Sequence, residues 1–402
     1  MTTYYLRRPI RRLPGLVIKA VPIPKPAVTQ GFGARVRTGP VCKDLALRSV
    51  LLVTDRTIYG LGLHEKVVKS LESSGVRCAV FCDIDSEPTV DIIRAGLRAA
   101  VACKAEGIVA LGGGSVLDSC KIIAAGLKTP KRDVTRYLWK LAPVPGKTVP
   151  MISIPTTAGT GAEHTVGAVV KNARGVKQAT VLIGLDVRHV ILDGELMINA
   201  PQAVTVWCGI DALSHGLEGL LTVTKSCLAD VRKSRECVRL VLENLPRLLD
   251  DPKDRQARQR MCLAAFYGGN AINRQLAGYV HACAHSIGAL YHIPHGKAIA
   301  FCLMPVLLAQ REICRRQLAD LSVWCGLAEG TDDETAAVDR LLERLRELLD
   351  RCGLEHGCSE LRQEDYPKLI RMINTDAINY SPSKIFRDSE VRALLDRIRK
   401  GV

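Results

Sequence analysis

The chain has 402 residues, 47% of them apolar and 24% charged, the balance of a folded globular protein and not of a disordered one. That length is long for one hydrophobic core and comfortable for two domains. The formal net charge is +15, but the basic residues are spread along the chain and aromatic residues are only 4% of it, so stacking platforms are sparse and no nucleic-acid partner is expected.

The first acidic residue is Asp44. Residues 1–20 therefore form a basic arm with Arg7, Arg8, Arg11 and Arg12, which reads as a solvated tail, an oligomer-interface element or a transit peptide. No apolar stretch with a small-residue cleavage site follows these arginines, so no secretory signal is expected. Beyond the arm, short β-branched runs alternate with amphipathic stretches. Ser49–Thr54 predicts a strand, Leu63–Ser74 a helix, Cys78–Phe81 a strand, Thr89–Cys103 a helix and Gly107–Leu111 a strand. Alternation at this spacing indicates βαβ units and a parallel sheet.

The strand Ile108–Leu111 runs into Gly112-Gly-Gly-Ser115 and then a helical stretch. Glycines let the backbone approach a ligand closely, and the free amides and positive dipole end of a helix favour a pyrophosphate. The Rossmann pattern G-x-G-x-x-G fails because Leu117 holds its last glycine position, and the P-loop ending is missing. Ser115 and Asp118 also fit a capping box, which is compatible with a phosphate site. A second polar loop, Ser153–Glu163, carries three hydroxyls and two glycines within six residues. Asp55, just past the first strand, stands where a carboxylate can bond a ribose 2′-hydroxyl and repel a 2′-phosphate; as a helix cap it would need no ligand. That placement predicts a preference for NAD(H), with NADP(H) as the alternative cofactor.

Twelve of the nineteen prolines precede residue 160 and seven follow residue 200. From about residue 196 the pattern turns to long helical periodicity, as in DDETAAVDRLLERLRELLDRCGL, with acids in its first turn and Gly353 past its end. The uncharged run Ala298–Ala309 is too short to span a bilayer and reads as a buried helix, so no membrane association is expected. Fifteen cysteines are scattered without a Cys-x-x-Cys pair, which points to reduced thiols in a cytoplasmic protein.

Four of the nine histidines, His281, His285, His292 and His295, fall within fifteen residues. Upstream, Asp211 and His215 lie one helical turn apart, as do His281 and His285, while His295 follows Pro294, where a helix is interrupted. Each pair alone has a structural explanation. Together, an acidic oxygen and several imidazoles suit a borderline divalent cation such as Fe²⁺ or Zn²⁺.

The segments GGGSVLDSCK, PTTAGTGAEHT, DALSHGLE and GYVHACAHSIGALYHIPHG, in that order, resemble the motifs of the iron-containing, group III alcohol dehydrogenases, and the resemblance runs from about Val21 to Leu394. It implies an α/β dinucleotide-binding domain with a parallel sheet over residues 1–195, an all-helical metal-binding domain over 196–402, and an active site in the cleft between them. It implies Asp211, His215, His281 and His295 as metal ligands, and His285 as a proton relay beside the nicotinamide. It places Gly113, Gly114, Ser115 and Asp118 at the cofactor, with Thr156, Thr157, Thr160 and Thr165 near it, and gives His292 no role. The implied reaction is reversible hydride transfer between a small primary alcohol or aldehyde and NAD(H), with Fe²⁺, Zn²⁺ or another divalent metal polarising the substrate oxygen, in a homodimer or higher homo-oligomer.

The chain departs from the family in places. Where many members carry DACT…NPR, it has Asp376-Ala-Ile-Asn-Tyr-Ser-Pro-Ser383, so Ile378 replaces a frequent pocket cysteine. His164 and Gly167 also differ from the common valine and asparagine, and the N-terminal arm is about twenty residues longer than usual. The substrate is therefore not transferable from any member. Two rival readings remain: a lyase of the dehydroquinate-synthase type, which shares the fold and uses NAD and a metal, and a catalytically silent NAD- or metal-binding protein.

Overall fold

The computed structural model describes residues 21–402 except 86–87, 172–176, 223–226 and 381; the basic arm lies outside the described residues. These residues form two compact units, one of Val21–Asn199 with Arg258–Gly269, the other of Ala200–Ala257 with Asn270–Val402.

The first unit is built on strands β1 (Ala27–Gln30), β2 (Ser49–Asp55), β3 (Arg77–Ile84), β4 (Gly107–Gly112), β6 (Met151–Pro155) and β9 (Val187–Leu192), all parallel in the order β1-β9-β6-β4-β2-β3. Its helices are α1 (Thr38–Asp44), α2 (Arg56–Gly60), α3 (Glu65–Ser73), α4 (Val90–Ala102) and α5 (Gly114–Lys128). The apolar run of β2 is unbroken because both faces of a parallel sheet are covered. Leu51 and Val53 join Ile108 and Ala110 in a core with Ile93 and Leu97 of α4 and Ile122 and Ile123 of α5. The alternate residues Val50, Leu52, Val109 and Leu111 pack with Val41 and Cys42 of α1 and Val67 and Leu71 of α3. Period-two alternation thus divides one hydrophobic strand between two cores.

A smaller sheet, which the sequence reading did not include, joins β5 (Leu141–Pro143), β8 (Lys177–Ile183) and β7 (Gly167–Lys171) in that order, with β7 antiparallel to β8.

The second unit is helical, with α6 (Gln202–Leu220), α7 (Leu228–Asp250), α8 (Arg255–Gln275), α9 (Tyr279–Tyr291), α10 (His295–Gln310), α11 (Arg315–Trp324), α12 (Glu334–Arg351), α13 (Tyr366–Asn379) and α14 (Asp388–Lys400). The middle of α8, Arg258–Gly269, belongs to the first unit. Asp333 caps α12 by accepting from the amides of Thr335 and Ala336, and Gly353 beyond its end has φ +64°, as the acidic start and terminal glycine predict. The run Ala298–Leu307 is buried within α10. Among the described residues, no helix is long and apolar enough to cross a membrane.

Candidate active site

In the α/β unit, β4 ends at Gly112 and α5 begins at Gly114, with Gly113 as its N-cap in extended conformation and no side-chain cap. Ser115 therefore stands inside the first turn, and the capping box expected for Ser115 and Asp118 does not form. The threonine loop closes against this turn: the Thr156 amide donates to Gly112 O at 3.1 Å. A Cβ on Gly114 would come within 3.2 Å of Thr160, and one on Gly113 within 3.5 Å of Thr157. Side chains at these glycines would fill the space beside the helix N-terminus, so Gly113, Gly114, Ser115, Thr156, Thr157 and Thr160 are brought together. The turn of the threonine loop needs its own glycine. Gly161 has φ +61°, and a Cβ there would lie 2.4 Å from the Gly269 Cα on α8.

Asp118 and Thr165 meet on a residue the sequence reading missed. The Lys121 ammonium, fully buried, donates to Asp118 Oδ1 at 2.9 Å, Thr165 Oγ1 at 2.9 Å and Gly167 O at 2.6 Å. The other Asp118 oxygen accepts the Val169 amide at 2.9 Å. Lys121 thus ties the glycine helix to the end of the threonine loop, and a buried cation with three acceptors is paired as it must be. Its only sequence signal is a lysine on the buried face of a helix. Asp55 ends β2 and caps α2, accepting from the Ile58 amide at 2.9 Å. The cap accounts for one carboxylate oxygen, so its local role and a ribose contact are compatible.

In the helical unit, α6, α9 and α10 bring the distant motifs together. Asp211 and His215 stand one turn apart on α6, and the His215 Nε2 lies 3.6 Å from Asp211 Oδ1. The His281 Nε2 on α9 and the His295 Nε2 on α10 approach the same oxygen at 3.5 and 3.4 Å. The ligand atoms of Asp211, His281 and His295 all lie within 4.8 Å of one another. The His215 ring stacks on that of His281, centroids 4.7 Å apart. His295 reaches the cluster because α9 ends at Tyr291, its C-cap His292 is left-handed at φ +56°, and Pro294 is then the N-cap of α10, whose first residue is His295. His292 is thus a helix-end residue, in a conformation that histidine tolerates better than most.

The electrostatics suit a cation. Asp211 is 4% exposed, and its Oδ1, like the Nε2 of His281, makes no hydrogen bond. A buried carboxylate oxygen without a donor is costly, and a metal ion is the partner that satisfies it together with imidazole lone pairs. Burial opposes ionisation of Asp211, but the surrounding imidazoles hold its carboxyl well below the usual range. Burial lowers His215 to about 4, which keeps it neutral and fit for ligation. For His281, burial is outweighed by the carboxylates of Glu218 and Asp211, which push it up to about 10, so a metal would have to displace a proton there.

Glu218 is the second residue that the sequence reading left without a role. The His281 Nδ1 donates to its Oε2 at 2.5 Å, and the Val280 amide to its Oε1 at 2.7 Å. A carboxylate at Nδ1 turns the lone pair of Nε2 towards the ligand position. The signal was present in DALSHGLE, since Asp211, His215 and Glu218 lie at i, i+4 and i+7 on one helix face. His285, one turn past His281 and exposed, lies outside the ligand group. Its ring stacks on His295 with centroids 5.1 Å apart, and its Nδ1 is 3.1 Å from the Tyr380 hydroxyl.

Comparison with known proteins adds to this geometry. Family models described as iron-containing alcohol dehydrogenase and as Fe-containing alcohol dehydrogenase family, C-terminal, match residues 25–193 and 205–398. The chain is 31% identical over 351 residues to alcohol dehydrogenase 4 of Schizosaccharomyces pombe, covering 86% of this chain and 81% of that one. It is 27% identical over 374 residues to the NAD-dependent methanol dehydrogenase of Bacillus methanolicus, covering 92% and 97%. The solved structure of a 1,3-propanediol oxidoreductase superimposes with a TM-score of 0.87 at 27% identity, covering 94% of this chain and 99% of that one. The chain spans 40% of the length of the bifunctional aldehyde-alcohol dehydrogenases of Escherichia coli that it matches.

Proposed function

The chain belongs to the iron-containing alcohol dehydrogenase family, and on that premise we propose that it interconverts a small primary alcohol and its aldehyde with NAD(H) and a divalent metal, Fe²⁺ by family and Zn²⁺ by affinity. The observation that carries this reading is the buried Asp211 oxygen, without a hydrogen bond and ringed by three imidazole Nε2 atoms. Asp211, His215, His281 and His295 would hold the cation. When bound, it supplies Lewis acidity towards an alcohol or carbonyl oxygen, and NAD(H) supplies the hydride chemistry.

The protein's own groups do the rest. Glu218 keeps the Nε2 of His281 directed at the ligand position. His285, outside the ligand group and exposed, takes up and passes on the proton of the alcohol at its imidazole. Gly113, Gly114, Ser115, Thr156, Thr157 and Thr160 bind the pyrophosphate at the N-terminus of α5. Asp118 and Thr165 act through Lys121 to hold these loops in place. Asp55 favours NAD(H) over NADP(H). The lyase alternative is not favoured, because the matched relatives are named as alcohol dehydrogenases and oxidoreductases. Fifteen free thiols support a reducing, cytoplasmic setting. A homodimer or higher homo-oligomer belongs to the same reading, and light scattering of the purified protein checks it.

The test is an anaerobic screen of short aldehydes with added Fe²⁺, following NADH consumption. Turnover of at least one aldehyde is expected. Failure of every aldehyde and alcohol in protein shown to contain metal would overturn the reading.

A further inference from the structure

Gln275 and Gly278 flank the turn into α9, and both are pressed against the last turn of α6. A Cβ on Gly278, the residue before α9, would lie 2.7 Å from Glu218 Oε1, so the chain runs directly over the carboxylate that binds Val280 and His281. Gln275 ends α8 and is 2% exposed. Its Oε1 lies 3.0 Å from the Ser234 hydroxyl on α7 and would be 2.6 Å from a Cβ on Gly219 of α6. Leu276 and Ala277 alone join these two anchors. The short link leaves its mark on the backbone. Leu276 closes α8, its amide donating to Ile272 O at 3.0 Å, and then turns to φ +64° and ψ 172°. That region is open to glycine and strained for any residue with a Cβ. His292, at φ +56° and ψ 33°, sits by contrast in the ordinary left-handed well.

Strain of this kind persists where the surroundings over-determine the conformation, and here an anchor on each side does so. We propose that Leu276 is a positioning residue for the metal site: the link Leu276–Ala277 seats the start of α9 on Glu218 against backbone strain at Leu276, and so sets the place of His281. The inference rests on the ligand role given to His281 in the proposed function. The strain and the Glu218 contacts oppose each other. While Glu218 holds Val280 and His281, the seat is complete before any metal arrives. When that hold is weakened, the link relaxes, the start of α9 lifts, and a metal at His281 has to restore the strained turn.

The experiment places Leu276→Gly and Leu276→Ala in the wild-type chain and in Glu218→Gln. It reads urea unfolding of the metal-free, full-length proteins and their Zn²⁺ binding against a chromophoric chelator. Glycine relieves the strain and alanine keeps it, so in the wild-type background Leu276→Gly should have the higher urea midpoint, the reverse of the order in ordinary backbone. Its Zn²⁺ affinity should stay within about twofold of wild type, because the seat is already formed in both. In the Glu218→Gln background the advantage of glycine over alanine should shrink. There glycine should tighten Zn²⁺ binding about tenfold, the worth of a glycine-only conformation, and alanine should not. A midpoint for Leu276→Gly at or below that of Leu276→Ala in the wild-type background, which needs no Glu218 variant to fold, would overturn the proposal. So would an equal advantage in both backgrounds, or no recovery of Zn²⁺ affinity by glycine. If wild type bound no Zn²⁺, the ligand role of His281 would fall and the proposal with it, whereas normal Zn²⁺ binding beside a missing recovery would remove the proposal alone.

Discussion

Replacing Glu218 by glutamine changes one oxygen to an NH₂ group and almost nothing in shape, and the surroundings leave that group no good orientation. Glu218 accepts on both oxygens, from the His281 Nδ1 at 2.5 Å and from the Val280 amide at 2.7 Å. If the glutamine oxygen stays on His281, its NH₂ faces the Val280 N–H. If the amide turns over, the NH₂ faces Nδ1, and the imidazole proton is forced to Nε2, 3.5 Å from Asp211, where a metal needs a lone pair. A buried donor left unsatisfied costs about 1–3 kcal/mol. Loss of the carboxylate behind a ligating histidine weakens metal binding by about 10–100-fold, or roughly 1.4–2.7 kcal/mol. The two routes give the same magnitude. The assay is a competition titration of metal-free protein with Zn²⁺ against a chromophoric chelator, alongside a thermal melt. A Kd within about twofold of wild type would refute the argument that Glu218 sets the presentation of His281.

Other expectations follow from the same geometry. Asp55→Asn should retain the cap of α2, since asparagine caps as well as aspartate, with a stability change of at most about 0.5 kcal/mol. It should raise kcat/KM for NADP(H) relative to NAD(H) roughly tenfold by removing the charge that repels a 2′-phosphate; an unchanged ratio would leave Asp55 as a cap alone. Lys121→Met should destabilise the protein by about 3–5 kcal/mol in urea unfolding, because Asp118 loses its buried partner, and a loss under about 1 kcal/mol would contradict that role. The pH dependence has a definite sign. The folded His281 lies above its ordinary 6.5, at about 10, so in metal-free protein its stabilising contribution is complete below 6.5 and is lost as pH rises through about 10. Metal binding must displace that proton, so Zn²⁺ affinity should weaken about tenfold for each unit of falling pH across the neutral range, and a flat profile would show His281 already unprotonated.

Strands β2, β3 and β4 of the six-stranded sheet were legible because each is a short apolar run bounded by turn formers, whereas β1 and β9 were not predicted. Ser49–Thr54 and Gly107–Leu111 fall within β2 and β4, and Thr89–Cys103 brackets α4 with its cap. The candidate metal ligands Asp211, His215, His281 and His295 were implied by the family resemblance; the i, i+4 pair on α6 survives in one dimension, and Pro294 marked the break that sets His295 at a new helix start. Other features depend on contacts that periodicity does not carry. Lys121 is given its place by three acceptors, two of them more than forty residues downstream. The middle of α8 belongs with the α/β unit, but its helical pattern is the same whichever core receives it. The contact between Tyr380 and His285 joins segments that no local pattern relates. Ser115 and Asp118 satisfied a capping motif on paper, yet the helix started two residues too early, at Gly114, for that motif to form.

The central claim is that Asp211, His215, His281 and His295 hold a divalent metal required for hydride transfer between an alcohol and NAD(H). The most direct measurement is the initial rate of NADH formation from a reactive primary alcohol as metal-free protein is loaded stepwise with Fe²⁺ under anaerobic conditions, with bound metal quantified at each step. The account predicts a rate that rises in proportion to occupancy and reaches its limit at one metal per chain. An equal rate in protein without metal, or no rate at full occupancy, would contradict it.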